Sequence, residues 1–203
     1  MALLQPGSAL IINECQRGIL EPDMGAFAGL ADQAASRAIL PRIAVLADTF
    51  RAAQLPVFHL TIAHREDFAD VQTNSLLAAL ARKNRAVLSG TPQAQIVPEL
   101  TPAPQDFVIK RSSGLIGFLG TPLDAILRRM GIRSLVIAGV STNVAVTGCT
   151  MVATDLGYHV VVAEDCTAAS DSNTHEIIVR DQIRMIARVA SAREVVEAIA
   201  GRR

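Results

Sequence analysis

Three positions in this chain suit chemistry: a carboxylate at Glu14, an ammonium at Lys110, and a glycine-led junction spanning 139–145. Glu14 follows the apolar run Ser8–Asn13, which places an acid at the carboxyl end of a buried strand, where open α/β sheets gather their ligands. Lys110 closes a second short apolar run, 106–109, and supplies a cation, although a strand-end lysine is by default simply solvated. At 135–138 another apolar run meets Gly139, after which Ser141 and Thr142 can cap a helix. Free N–H groups at a helix start favour an anion or a developing negative charge. Convergence of the three strand ends in one crevice would give proton transfer at Glu14 and charge stabilisation at the other two. His59 and His64 lie five apart with no carboxylate in ligand register, so no metal site is expected.

The elements that must position these groups follow from periodicity. Strands are expected at Ser8–Asn13, Val57–Ile62, 106–109, 135–138 and 160–163, and a short strand-turn-helix at 190–200. Helices are expected at 41–54, with Ile43, Leu46 and Phe50 buried, and at 74–85, with Leu76, Leu77 and Leu80 buried. Another starts at Thr121-Pro122 and ends at Gly131, another follows Thr142, and one capped at 171–173 buries Ile177, Ile178, Ile183 and Ile186. Segment 18–29 reads as a loop over the site, and 90–105 as an active-site or subunit-contact loop. The alternation of strand and helix predicts an α/β fold of three layers, α/β/α, around a mostly parallel sheet of five or six strands, in a single domain over residues 1–203.

Composition narrows the partner. Half of the 203 residues are hydrophobic, and 19 basic residues balance 19 acidic ones, which argues against nucleic acid or an acidic membrane and for a small-molecule substrate. Cys15, Cys149 and Cys166 are odd in number and lack metal spacing, which fits free thiols in a reducing cytoplasm. No apolar run reaches the roughly 20 residues that span a bilayer. The expected location is cytoplasmic, and no cofactor is expected.

GVSTNVAV followed by ATDLGYHVVVAEDCTAAS resembles the core signature of the isochorismatase-like hydrolases, which include nicotinamidases, carbamoylsarcosine amidases and isochorismatases. ALIINECQ resembles the family's apolar–Asp–x–Gln segment, with Glu14 at the Asp position and Gln16 at the Gln. VIKRSSGLIGFLGTPLDAILRRMGI resembles the stretch that starts at the family's catalytic lysine, here Lys110, with about two more residues before Phe118. The resemblance implies a non-proline cis peptide between Val140 and Ser141, and oxyanion or substrate contacts from Ser141, Thr142, Asn143 and Val144. It also implies a homodimer or homotetramer. The nicotinamidase metal motif Asp-x-His-x-x-His is missing.

One departure governs the chemistry: Ala145 stands where the amidase members carry their nucleophilic cysteine. Cys149 lies one turn deeper on the same helix face and Cys15 points away from Glu14, so both read as core cysteines. Isochorismatases dispense with the thiol: the acidic residue protonates the methylene carbon of a vinyl ether, water adds, and the hemiketal collapses. The first expectation is therefore a cysteine-independent hydrolase of a small carboxylated metabolite, with Glu14 as acid/base and Lys110 as its electrostatic partner. An amidase whose cysteine has been replaced and a catalytically silent ligand-binding protein are the alternatives. A nearby cation lowers a carboxyl pKa while a general acid near neutrality needs it raised, a tension that sequence leaves open.

Overall fold

The computed structural model describes residues 2–24 and 29–201. Six strands run parallel in one sheet: β1 Ser8–Asn13, β2 Val57–Ile62, β3 Phe107–Arg111, β4 Ser134–Val140, β5 His159–Ala168 and β6 Arg188–Ala190, in the spatial order β3-β2-β1-β4-β5-β6. The three-layer parallel fold expected from the alternating pattern is the fold found.

Helices α1 Arg17–Leu20, α2 Leu30–Ser36, α3 Ile39–Ala52, α4 Leu76–Lys83 and α5 Leu123–Arg129 precede β4. Helices α6 Thr147–Asp155, α7 Ser172–Ile178, α8 Arg184–Ile186 and α9 Ala192–Ala200 follow it. Because successive strand residues face opposite ways, the sheet feeds two cores. Leu10, Ile12, Val136 and Val161 pack on Ile43, Leu46 and Phe50 of α3 and Val195 and Ile199 of α9. Ile11, Leu60, Ile137 and Val162 pack on Leu123 and Leu127 of α5 and Val146, Cys149 and Ala153 around α6.

Several expectations change: of Ile177, Ile178, Ile183 and Ile186, Ile183 alone is fully buried, and Ile177 is 39% exposed. Pro41 does not start its helix; it sits in the first turn of α3, which opens at Ile39 just after α2 ends. The expected stripe of α4 is not a core stripe: Leu76 is 76% exposed, Leu80 also reaches solvent, and Ala81 is the buried position. The 18–29 segment begins with the helical turn α1, and its residues 25–28 lie outside the described part.

The order reverses between β1 and β4, and the strand ends there are tightly joined. Gly139 has φ of +97°, and a Cβ on it would stand 2.1 Å from the Asn13 carbonyl oxygen, so only glycine fits. Asn13 ties the two strands from below, donating to the Ala138 carbonyl at 3.1 Å and accepting from Cys149 Sγ at 3.2 Å. A crevice at such a reversal, beyond the carboxyl ends of the strands, is where this class of sheet binds small molecules.

Candidate active site

Beyond the ends of β1 to β4 lies a cleft of about 610 Å³. Its floor is Glu14, Arg111, Ser141, Asn143 and Val144. Asn13 ends the ladder, and Glu14 takes a left-handed backbone, φ 49°, while its N–H donates to the Leu60 carbonyl at 2.8 Å. A left-handed conformation costs an L-residue about 1 kcal/mol, and here it swings the side chain out of strand register toward the cleft.

The cation beside Glu14 is Arg111. Its Nη2 donates to Glu14 Oε1, and its Nε points at the Gly114 carbonyl at 3.5 Å. The two side chains are 6% and 16% exposed, so the pair is mostly withdrawn from water. Lys110, the expected partner, is displaced by strand parity. β3 continues through Arg111, Ile109 and Arg111 face inward together, and Lys110 faces the other side, exposed, with its Nζ donating to Ser89 Oγ at 2.7 Å. The loop after it supplies Ser113, Gly114 and Leu115 to the cleft wall.

Other expected positions also divide. Gln16 is fully buried and does not line the cleft: its side-chain amide donates to the Ile62 and Ala94 carbonyls at 2.8 and 2.9 Å and accepts from the Ile62 N–H at 2.8 Å. It clamps the end of β2, so Gln16→Ala should cost about 2 kcal/mol in chemical denaturation by leaving buried backbone groups unpaired. Thr142 likewise turns inward. Its hydroxyl meets His175 Nδ1 at 2.9 Å, His175 Nε2 lies 3.5 Å from Glu164, and Arg37 reaches Glu164 at 3.0 Å. The His175 contact and then the Arg37 charge hold the Glu164 carboxyl below its ordinary range. This brace fixes the turn, and nothing in the spacing of 37, 142, 164 and 175 signals it.

The Val140–Ser141 peptide is cis, as the resemblance implies. Instead of a regular helix start with a hydroxyl cap, Thr142–Val146 forms one wide π-helical turn ahead of α6, and Ser141 makes no side-chain cap bond. The Ser141 carbonyl accepts from the N–H groups of Val144 and Val146 at 3.2 and 3.0 Å, so Val144 is not a spare oxyanion donor. Ser141 and Asn143 do face the cleft.

Ala145 lies within this turn and is 2% exposed. None of the three thiols reaches the cleft lining, and all are buried. Burial pushes the Cys149 thiol up to about 12 and raises those of Cys15 and Cys166 far above the ordinary thiol range. His59 and His64 serve separately. His59 lies in the core against Asp106, at 3.3 Å, with burial lowering its pKa, whereas His64 lines the cleft. Among the described residues no three His, Cys, Asp or Glu side chains gather as metal ligands.

A three-layer parallel sheet with a cleft at its point of reversal and an acid at the end of β1 defines the class. The isochorismatase domain family matches residues 8–194, and the chain belongs to that family. It is 31% identical over 204 residues to YecD, an uncharacterised isochorismatase family protein of Escherichia coli O157:H7, covering 95% of this chain and 96% of that one. An isochorismatase family protein from Desulfovibrio vulgaris superposes with a TM-score of 0.84 at 27% identity, over 97% of this chain and 100% of that one. The fold is also that of N-carbamoylsarcosine amidase from Thermoplasma acidophilum, with a TM-score of 0.73 at 23% identity over 91% and 96% of the two chains. Among the described residues no helix is long and apolar enough to cross a membrane.

Proposed function

We propose that the protein hydrolyses a small molecule without a nucleophilic side chain, using Glu14 as the proton carrier and Arg111, rather than Lys110, as its electrostatic partner. The observation that supports this most is the Glu14–Arg111 pair on the cleft floor. A carboxylate that accepts from a guanidinium is presented as an acceptor, which suits removal of a proton from water better than protonation of a vinyl ether carbon. Glu14 takes a proton from water as the oxygen bonds to the electrophilic carbon of the substrate. The same proton passes to the departing oxygen or nitrogen as its bond to carbon breaks. Ser141 and Asn143 are placed to hold the polar end of the substrate.

Turnover of a panel of small esters, amides and vinyl ethers tests the proposal. The expected result is hydrolysis of at least one ester or amide class that persists in Cys15→Ala, Cys149→Ala and Cys166→Ala, with Ala145→Cys giving no gain. A rise of a hundredfold or more in amide turnover with Ala145→Cys would favour the replaced-cysteine amidase. Binding without turnover across the panel would favour a silent ligand-binding protein.

A further inference from the structure

If the cleft is the hydrolytic site proposed above, its charges and walls also define the substrate. Three charged side chains line it among the described residues: Glu14, Asp70 and Arg111. Arg111 is nearly covered and already engaged with Glu14 and the Gly114 carbonyl, while Lys110 is turned away to Ser89. An anionic ligand would therefore meet two carboxylates and no uncommitted cation. A cationic ligand would lose its hydration against a wall of Ile19, Leu30, Ile62, Leu77, Ala81 and Val87, a cost that Asp70 at the rim and a Glu14 already paired with Arg111 do not offset.

His64 adds a polar detail. Its Nδ1 lies 2.7 Å from the Ser112 carbonyl oxygen, which can only accept, so Nδ1 carries the hydrogen. In the neutral ring that leaves Nε2 as an acceptor on a residue lining the cleft. The ring is held by the neighbouring backbone as well: the His64 N–H donates to the Val87 carbonyl at 2.9 Å, and its carbonyl accepts from Ser89 N at 2.8 Å. Glu14 is a second acceptor, and Leu77, Ala78 and Ala81 of α4 supply an apolar wall.

We propose that the substrate is an uncharged amphiphile, with an apolar body lying along α4 and a neutral head that donates a hydrogen bond to His64. The carboxylated metabolite expected with Lys110 at the site loses its receptor when Lys110 leaves it.

Three probes of one shape test this at pH 7: cyclohexanecarboxamide, cyclohexanecarboxylate and cyclohexanecarboxamidinium, titrated into the full chain and followed by amide chemical shifts. The amide should bind at least tenfold more tightly than either ion. His64→Phe should weaken the amide about tenfold and the ions little, and Leu77→Trp, which fills the apolar side from a solvent-facing helix, should abolish its binding. Equal or tighter binding of either ion, or no binding of any probe, would overturn the proposal. Turnover is not read, so tighter binding of the amide would leave this proposal standing even if the whole substrate panel above showed no hydrolysis and sank the hydrolase reading, while hydrolysis in that panel together with tighter binding of the carboxylate would do the reverse.

Discussion

Glu14→Gln is expected to lower turnover by about 10³-fold while leaving the fold intact, within the range for removing a general acid–base group. The amide keeps the size of the carboxylate and can still meet Arg111 through its carbonyl oxygen, so the floor of the cleft stays packed. What it loses is the ability to take a proton from water and return it to the leaving group. Substrate affinity should change by less than tenfold, because the apolar wall and His64 lie elsewhere in the cleft. Retained turnover above a tenth of the wild-type rate, with an unchanged circular dichroism spectrum, would remove Glu14 from the chemistry.

Arg111→Met should be the most damaging of the cation replacements, and Lys110→Ala nearly silent. Taking the guanidinium away leaves Glu14, 16% exposed, without its charge partner, and breaking a buried pair costs roughly 3 kcal/mol at the low end of the measured range. Turnover should fall about 10²-fold as well, since a misplaced carboxylate loses its alignment with water. Lys110 makes one exposed bond to Ser89, and its loss should stay within about 0.5 kcal/mol, with turnover unchanged. Denaturation and rates measured on both variants decide between the two cations. A silent Arg111→Met beside a dead Lys110→Ala would restore the lysine to the role expected of it by resemblance.

The sheet was legible in the chain because parallel strands are short apolar runs with glycine or polar breaks, and each of the first five expected runs overlaps a strand. Glu14 and the cis junction at Ser141 were legible too, one from its strand end and the other from the resemblance. The identity of the cation was not. On β3 a shift of one residue reverses which side chain faces in, and the inward set, Ile109 with Arg111, is fixed by what β2 and the lower core leave room for. Residue type alone could not show that Gln16 spends all its bonds on β2 and loop backbone, or that Thr142 turns to His175, because both partners lie far away in sequence. The leucines of α4 misled for a related reason: the same helical period serves a core, a cleft or solvent, and here Leu77 lines the cleft while Leu76 and Leu80 reach solvent.

Where the oxygen of water goes tests the central claim most directly. After many turnovers in ¹⁸O-labelled water, peptide mass spectrometry should find the label in the hydrolysed product and none in the side chain of Glu14, since a residue that only carries protons never bonds to the substrate. Label accumulating in the Glu14 carboxylate, or a substrate-derived adduct on any cysteine, would contradict the account.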